Sequence, residues 1–419
     1  MSSLFQIILL MAVLGSVGPN MLFWSLVGIL RFMFSRDEQD SIVSQSLISI
    51  KDVAVVIAAH NEEMVLPGCI DELRKIINVR QIHVADDASS DATKAIAKSF
   101  GCKIFTSKVN IGKAKMIEAA LAKFRICKKY AVVLILDADS EIDPNYFTNA
   151  LTQFSDLNVA VVAGHVVSRP VAGTLNIARV VHKYRVRLYL MIQTLFRYGQ
   201  SWKPANVTFV APGFASTYRA SVLEKIEISS SGLVIEDINM TFQVHKAALG
   251  KVVYSPYVKC STEDPASLSD YSRQVRRWNL GLWQTIKRQG IWPSKFWLAL
   301  GLLQIETIAS ALFVLLLPGL LAWGYFFDGN ILLWSPLTGD FEKAPVWILP
   351  ILFVGADFLL SVIAAILLRS FEMILYAPFF LVFRVLDAWW TLATIPIAIF
   401  SNSSGVWKSP MRASRSKVA

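Results

Sequence analysis

Acidic residues stand directly after three short apolar runs in the first part of the chain. They are Glu62, the pair Asp86 and Asp87, and the pair Asp137 and Asp139. The last two form an Asp-x-Asp sequence, whose carboxylates can both reach one divalent cation and its bound diphosphate. Mg²⁺ or Mn²⁺ held in this way keeps coordination positions open for phosphate oxygens. The residue types therefore indicate chemistry on a phosphorylated substrate.

The apolar runs predict the strands that position these acids. Four runs alternate with helix-like stretches, within residues 53–63, 82–93, 130–143 and 159–166. This alternation is typical of a parallel α/β sheet covered on both faces, and ligands bind such sheets beyond the carboxyl ends of the strands. Each acid taken alone also fits a helix cap or a turn. Their shared placement at strand ends favours a ligand site.

Two common phosphate-binding motifs are absent from the sequence. There is no GxxxxGK[ST] loop and no GxGxxG, which disfavours a P-loop ATPase and weakens a dinucleotide interpretation. A nucleotide-sugar donor fits better, because its diphosphate leaving group needs both a metal and a cation. The net charge of +10 comes without a nucleic-acid motif, and much of it flanks apolar runs. We therefore expect no nucleic-acid partner.

Long apolar runs lie towards both ends of the chain, which is 54% hydrophobic and only 17% charged. Residues 4–32, 296–327 and 346–368 are each long enough to cross a bilayer, which takes about 20 helical residues. The first run could instead be a signal peptide. It lacks a basic start and a clear small-residue cleavage site, which favours an uncleaved anchor. The lipid bilayer is thus an expected partner.

Charges beside these runs predict the topology. Arg31 and Arg36 follow the first run and place the polar middle of the chain in the cytoplasm. The acidic loop at 328–343 suits the outer side. Residues 372–400 contain charges and prolines, so they could span the membrane, re-enter it, lie at its surface or line a polar path. We expect a multi-pass plasma-membrane protein whose catalytic domain faces the cytoplasm, but the course of 372–400 and of the basic tail stays open.

A basic and aromatic stretch, RQVRRWNLGLWQ, precedes the second long apolar run. At helical spacing Gln274, Arg277, Trp278 and Gly281 share one face. The predicted regions are an N-terminal transmembrane helix with a linker (1–49), a cytosolic catalytic domain (50–265), an interfacial amphipathic helix (266–295), a C-terminal transmembrane region (296–400) and a basic tail (401–419). Four scattered cysteines fit reduced thiols in a cytosol-facing domain.

Seven motifs occur in an order that resembles one enzyme family. They are AAHNEE, ADDASSDAT, NIGKA, LDADSEID, VAPGFASTYR, IEDINMTFQ and QVRRW. From about residue 50 to 290 the chain resembles the family 2 inverting glycosyltransferases. Within that family it is similar to the processive membrane synthases of chitin oligomers, hyaluronan, poly-N-acetylglucosamine and cellulose. The resemblance implies a nucleotide-diphospho-sugar transferase (GT-A-like) domain, α/β with a mostly parallel sheet, inserted between transmembrane helices.

The resemblance also implies roles for individual residues. Contacts with the nucleotide sugar would be made by Ala59, Glu62, Asp86, Asp87, Lys113, Asp137, Asp139, Gln274, Arg277 and Trp278. Asp137 and Asp139 would also hold the divalent metal, Mn²⁺ or Mg²⁺. Pro212, Gly213 and Trp278 would lie near the acceptor. Glu236 and Asp237 match the catalytic Glu-Asp pair of the family, with Asp237 as general base.

Two segments carry a second interpretation. Thr262, Glu263 and Asp264 also spell the family's "TED", but the Glu236–Asp237 pair precedes a helix as in the family, which favours Asp237 as the base. The segment 181–197 combines aromatic and basic residues. Its composition favours a helix lying flat at the membrane surface over a phosphate-binding role.

Three functions follow from the sequence in decreasing order of support. The first is a processive β-glycosyltransferase that polymerises a UDP-sugar, most plausibly UDP-N-acetylglucosamine, onto a growing glycan and passes the product through its own helices. The second is a non-processive transferase that adds one sugar to a polyprenyl phosphate or another lipid. The third is a transporter or receptor that only binds a nucleotide sugar, which would need no general base.

Overall fold

The computed structural model describes residues 18–34, 48–171, 176–335 and 339–401. The first part of the predicted N-terminal anchor, the linker around Arg36 and nearly all of the basic tail lie outside these ranges. Ten strands fall inside them. They are β1 (Val53–Ala59), β2 (Ile82–Asp86), β3 (Lys103–Thr106), β4 (Val132–Asp137), β5 (Glu141–Ile142), β6 (Val159–Ser168), β7 (Ala215–Arg219), β8 (Lys251–Thr262), β9 (Asn330–Ser335) and β10 (Asp340–Pro345).

Helices connect and flank these strands. In chain order they are α1 (Pro19–Phe34), α2 (Leu66–Arg74), α3 (Thr93–Ser99), α4 (Lys113–Phe124), α5 (Ile126–Lys129), α6 (Tyr146–Gln153), α7 (Ile177–Tyr189), a π-helix (Leu190–Arg197), α8 (Tyr198–Gln200), α9 (Ala220–Leu223), α10 (Asp237–Lys246), α11 (Leu268–Gln289), α12 (Lys295–Phe326), α13 (Ile348–Leu367), α14 (Glu372–Tyr376) and α15 (Phe380–Phe400). Short 3₁₀ turns lie at Ile50–Asp52, Val79–Gln81 and Ala377–Phe379.

Eight strands form one mixed sheet in the order β3-β2-β1-β4-β7-β6-β8-β5. Strands β1 to β4 pair in parallel, as do β6 and β8, whereas β7 and β5 are antiparallel to their neighbours. All seven residues of β1 are buried, since apolar side chains from helices cover both faces. The prediction of a mostly parallel α/β sheet is confirmed.

The register of the central strands brings the acidic residues together. Ala59 at the end of β1 lies opposite Asp86 at the end of β2. On the other side of β1, Ala58 lies opposite Asp137 at the end of β4. The carboxyl ends of these strands therefore meet at one edge of the sheet, which is where parallel sheets bind ligands.

Three helical stretches of the described chain are long and apolar enough to cross a membrane: Lys295–Phe326, Ile348–Leu367 and Glu372–Phe400. The hairpin β9–β10 joins the first two. Helix α11, which carries the RQVRRWNLGLWQ stretch, packs along α15 and on α10. The sheet domain is thus joined to the apolar helices through α11.

The segment 372–400, which the sequence left open, is a helix whose polar residues have partners. Asp387 accepts hydrogen bonds from the hydroxyls of Tyr184 and Tyr271, at 2.6 and 2.7 Å. Arg384 lies 3.5 Å from Asp357 of α13. Helix α15 therefore docks on α7, α11 and α13 through polar contacts as well as apolar packing.

Candidate active site

One large cavity of about 1890 Å³ opens at the carboxyl edge of the sheet and extends between the apolar helices. Most of the predicted site residues line it: Glu62, Lys113, Asp137, Asp139, Pro212, Gly213, Glu236, Asp237, Gln274, Arg277 and Trp278. Residues far apart in the sequence are thus brought to one space, as the motif analysis expects. Ala59, Asp86 and Asp87 lie outside this lining.

Asp87 shapes the loop that presents Lys113. Its carboxylate accepts hydrogen bonds from the backbone N–H groups of Ile111 and Gly112, at 2.7 and 2.8 Å. Gly112 has a φ of 89°, a conformation that favours glycine, and Lys113 begins α4 directly after it. Asp86 is buried, and its Oδ2 has no hydrogen-bond partner among the described residues. Contact of either acid with a uridine stays a prediction.

Lys113 lies between two buried acids. Its ammonium nitrogen is 2.7 Å from Asp137 and 2.8 Å from Glu236. Although burial would lower it, the two carboxylates raise the pKa of Lys113 above its usual value. Burial raises the pKa of Asp137, whereas for Glu236 the Lys113 charge outweighs burial and lowers the pKa. The site therefore holds an ammonium group charged and ready to meet an anionic leaving group.

Asp237 begins α10 and faces the loop that carries Gly213. Its Oδ2 accepts a hydrogen bond of 2.7 Å from the Gly213 backbone N–H. Burial and the neighbouring charge of Glu236 raise the pKa of Asp237 to about 6. A carboxyl group with this pKa is ionised at neutral pH yet is more basic than an ordinary aspartate, which suits a general base.

Gly213 is the point where these groups come closest. A Cβ atom there would lie 3.1 Å from Glu236 Oε1, 3.2 Å from Lys113 Nζ and 3.3 Å from Asp237 Cβ. Any side chain at this position would press on the acids and on the ammonium group. The glycine of the VAPGFASTYR motif is therefore required by the packing of the site.

Asp264, the other candidate for the base, is bound by side chains of α7 and β6. It accepts a hydrogen bond of 2.9 Å from His182 Nδ1 and one of 3.2 Å from the Ser168 hydroxyl, and it lies 3.5 Å from Arg185 Nε. Its side chain is almost fully buried. These contacts tie α7 to the end of β8 and fit a structural role, which supports the preference for Asp237.

Helix α11 presents the QVRRW residues to the cavity from the membrane side. Gly281, on the same face, has no room for a side chain, because a Cβ there would lie 2.0 Å from Ile235. This contact docks α11 on the segment leading into Glu236 and Asp237. The positive charge of Arg277 reaches Glu236 and contributes to its lowered pKa. Arg273 and Arg276 of the same helix also line the cavity.

Asp137 and Asp139 fit a divalent cation that takes most of its ligands from phosphate oxygens and water. No group of three His, Cys, Asp or Glu residues that could hold a metal occurs in the described ranges. Asp137 and Asp139 nevertheless line the cavity side by side, and the Asp139 charge contributes to the raised pKa of Asp137. Mg²⁺ binds in this way, through one or two carboxylates plus phosphate oxygens and water.

Three arginines of the cavity were not singled out from the sequence. Arg169 donates to the Asp139 carbonyl at 2.7 Å and pairs with Glu141 and Glu263. Arg185 and Arg197 lie on the segment 181–197, which is helical as predicted but lines the cavity. A signal was present, because residues 185, 189, 193 and 197 repeat every four positions along one helical face.

Comparison with known proteins shows which family the sheet domain resembles. Residues 54–227 match the model of the family described as "Glycosyl transferase family 2". The sheet domain is thus similar to the glycosyltransferase family 2 domains. A probable glycosyltransferase of Bacillus subtilis, YdaM, is 24% identical over 247 residues, which are 57% of this chain and 56% of the relative. The hyaluronan synthase of Streptococcus pyogenes is 27% identical over 254 residues, 54% of this chain and 56% of the relative. This chain spans about half the length of either relative.

A solved structure shares the fold of the sheet domain, and the match extends over most of the rest of the chain. The mannosyltransferase PcManGT from Pyrobaculum calidifontis, solved with GDP-Man and Mn²⁺, superimposes with a TM-score of 0.53 at 16% identity. The match covers 89% of this chain and 99% of that one. The GT-A-like fold expected from the sequence is therefore confirmed.

Proposed function

We propose that this protein is a processive inverting β-glycosyltransferase. It polymerises a UDP-sugar, UDP-N-acetylglucosamine as first choice, and passes the growing glycan into the cavity between its apolar helices. The observation that carries the proposal is the continuity of this cavity. It contains Lys113 and Asp237 at one end and residues of α12 and α15, such as Ser310 and Thr391, at the other.

Asp237 acts as the general base in this proposal. It removes the proton from the acceptor hydroxyl as that oxygen attacks the anomeric carbon of the donor in a single displacement. The Gly213 N–H fixes one carboxylate oxygen and the Ile238 N–H the other, each at 2.7 Å. The base is therefore held in one orientation, which general-base catalysis requires.

Lys113 and Arg277 stabilise the departing diphosphate. Both side chains line the cavity together with Glu236, and the positive charges of both act on its carboxylate. A divalent cation bound by Asp137 and Asp139 would add charge neutralisation at the same diphosphate. Trp278 offers a half-buried ring face to a pyranose ring at the membrane side of the site.

The lining towards the membrane suits a carbohydrate. Gln304, Thr307 and Ser310 of α12 face the cavity at intervals of three, and Thr391 of α15 lies across from them. Amide and hydroxyl groups on apolar helices can hydrogen-bond to sugar hydroxyls in sequence. A transferase that adds a single sugar to a lipid needs no such path, so these residues favour polymerisation.

Membranes containing the full chain test the proposal. Incubation with radiolabelled UDP-N-acetylglucosamine and Mn²⁺ should release UDP and give a product that grows in length with time. The product should be sensitive to a glycosidase of matching specificity. Single-sugar lipid products would refute processivity, and an absence of UDP release from a panel of UDP- and GDP-sugars would refute the transferase assignment itself.

A further inference from the structure

A continuous helix forms one wall of the cavity. It consists of α7, the π-helix and α8, and four of its residues at four-residue spacing line the cavity: Arg185, Tyr189, Gln193 and Arg197. A π-helical turn holds one residue more than an α-helical turn, and such turns are frequent at functional sites. The π-geometry covers the part of the helix that contains Gln193 and Arg197.

Gln193 fixes this wall to the sheet. Its side-chain amide makes two hydrogen bonds with the backbone of Val166 in β6, where its oxygen accepts from the N–H at 2.6 Å and its nitrogen donates to the carbonyl at 3.0 Å. This contact lies beside the irregular pairing of β6 with β8 near Ala163 and His165. The amide thus anchors the helix that carries Arg197 to β6.

Arg197 is a buried cation without an acidic partner. Its exposure is 8%, and its Nη1 has no hydrogen-bond partner among the described residues. No carboxylate of the described ranges forms an ion pair with it, and its guanidinium group lies 5.8 Å from the centre of the Tyr254 ring. Burying a charge in this way is costly unless a ligand compensates it.

Arg185 lies on the same face of the helix as Arg197, but its charge has an acidic residue beside it. Arg185 is more deeply buried than Arg197, and its Nε and Nη1 have no hydrogen-bond partner among the described residues. Unlike Arg197, it has an acid nearby, since Asp264 lies 3.5 Å from its Nε, and its guanidinium group packs 4.6 Å from the centre of the Trp278 ring. The protein therefore neutralises the charge of Arg185 with an internal acid. It leaves the charge of Arg197 facing the cavity.

Arg197 lines the same cavity as Asp237 and Lys113. Burial lowers the pKa of Arg197, and charges at Tyr254, Tyr189 and Asp237 oppose this. Asp237 is the only cavity carboxylate in that set, whereas Lys113 contacts Asp137 and Glu236 on the donor side. Lys113 is assigned to the donor diphosphate, so an anion bound by Arg197 would be a second anion in the same cavity.

We propose that Arg197 binds an oxyanion carried by the acceptor. The inference rests on the proposed role of Asp237 and adds that the acceptor is acidic. The planar guanidinium group recognises carboxylates and phosphates through paired hydrogen bonds. The oxyanion could be the carboxylate of an acidic sugar unit or the phosphate of a lipid-linked acceptor, and the two sources are distinguishable by experiment.

Equilibrium binding to the purified full chain in detergent tests this inference. The probes are two matched pairs, methyl β-D-glucuronide against methyl β-D-glucoside, and farnesyl phosphate against farnesol. In isothermal titration calorimetry the wild-type protein should bind the charged member of one pair about tenfold more tightly or better. The pair that shows the preference identifies the source of the oxyanion. Equal affinity within both pairs, or no binding of any probe, would overturn the inference.

Variants then assign the preference to Arg197. Arg197→Gln should remove the preference for the charged probe while leaving UDP affinity unchanged, and Arg197→Lys should keep part of it. Arg197→Met, which resembles the arginine stem in shape, is the second neutral variant in case the glutamine variant misfolds. Arg74→Gln, at an exposed site paired with Asp71, is the control and should behave as wild type.

The result is separable from the proposed function. If wild-type protein releases no UDP from any donor, the transferase proposal fails whatever the binding data show. If UDP is released but Arg197→Gln retains the full charge preference, the inference about Arg197 fails alone.

Discussion

The Asp237 carboxylate accepts a hydrogen bond of 2.7 Å from the backbone N–H of Gly213. This bond joins the proposed base to the loop that lies next to it in the cavity. It also fixes a carboxyl group whose pKa is raised to about 6 by burial and by the neighbouring Glu236. The predictions below follow from this arrangement and from the contacts around it.

Replacing Asp237 with asparagine should abolish transfer without disturbing donor binding. We expect kcat to fall by about 10²–10⁴-fold, since general-base catalysis contributes that much. UDP release and UDP affinity, measured on the same preparation, separate the two effects. Asp71→Asn, at an exposed site on α2, is the matched control. Turnover close to wild type in Asp237→Asn would show that the base lies elsewhere.

Asp264→Asn should behave differently from Asp237→Asn. The change removes a negative charge that faces His182 and Arg185 in a buried cluster, so the main effect should be a lower melting temperature. Thermal unfolding in detergent, read beside kcat, checks this. A fully stable Asp264→Asn protein without activity would reopen the choice between the two acids.

The rate should rise with pH through about pH 6. Asp237 must be deprotonated to accept a proton, and burial beside Glu236 raises its pKa to about 6, so activity is lost below that value. Glu236→Gln removes the neighbouring negative charge and should move the acidic limb of the kcat profile to lower pH. A limb that stays in place in this variant would contradict the coupling of the two acids.

Gly213→Ala should impair catalysis more than folding. The added methyl group would lie 3.1–3.3 Å from Glu236, Lys113 and Asp237, which must then shift. We expect a loss of about 10–100-fold in kcat/KM, because small displacements of reacting groups are costly. Gly355→Ala in α13, where the new methyl group meets open space, is the control. Equal effects of the two substitutions would argue against the crowding at Gly213.

Metal removal should stop the reaction. Chelation by EDTA is expected to abolish UDP release, and Mn²⁺ or Mg²⁺ should restore it. Asp139→Asn should raise the metal concentration needed for half-maximal activity by about tenfold or more, as losses around metal ligands usually do. Asp143→Asn, which lies just after β5 and outside the cavity lining, is the matched control. Full activity in the presence of EDTA would show that the reaction does not require a divalent cation.

The buried pair of Arg187 and Asp357 should matter for stability. Their side chains are 2.8 Å apart and nearly inaccessible, so Arg187→Met should cost about 3 kcal/mol by leaving a buried charge poorly compensated. The control Arg288→Met breaks an exposed pair with Glu227, where about 1 kcal/mol or less is expected. Denaturation of the purified protein measures both. The double variant Arg187→Met, Asp357→Leu should recover much of the loss.

The sheet and its acidic edge were predictable from the sequence for a physical reason. Parallel strands such as β1, β2 and β4 end at the same edge, so polar residues that follow each apolar run must lie near one another. Glu62, Asp137 and Asp139 could thus be grouped before any coordinates were known. The pairing of Lys113 with Glu236 could not be predicted, because the two residues are far apart in the sequence and no repeating pattern connects them.

The wall of the cavity was harder to foresee. An amphipathic pattern such as that of 181–197 shows that one face is apolar, but the same pattern suits a bilayer surface or a protein interior. The partners of Arg185 and Arg187, Asp264 and Asp357, are distant in the sequence. A π-helical turn also shifts the phase of the residues that follow it. The uncertainty about 372–400 had the same origin, because Asp387 finds its partners on α7 and α11.

The position of Lys113 between Asp137 and Glu236 links donor occupancy to the strength of the base. A diphosphate that attracts the ammonium group weakens its hold on Glu236, whose unshielded charge then raises the pKa of Asp237 further. The enzyme would thus be a poor proton acceptor while empty and a better one once charged with donor. Proton transfer to Asp237 would thus be favoured only in the complex that also holds the sugar to be transferred.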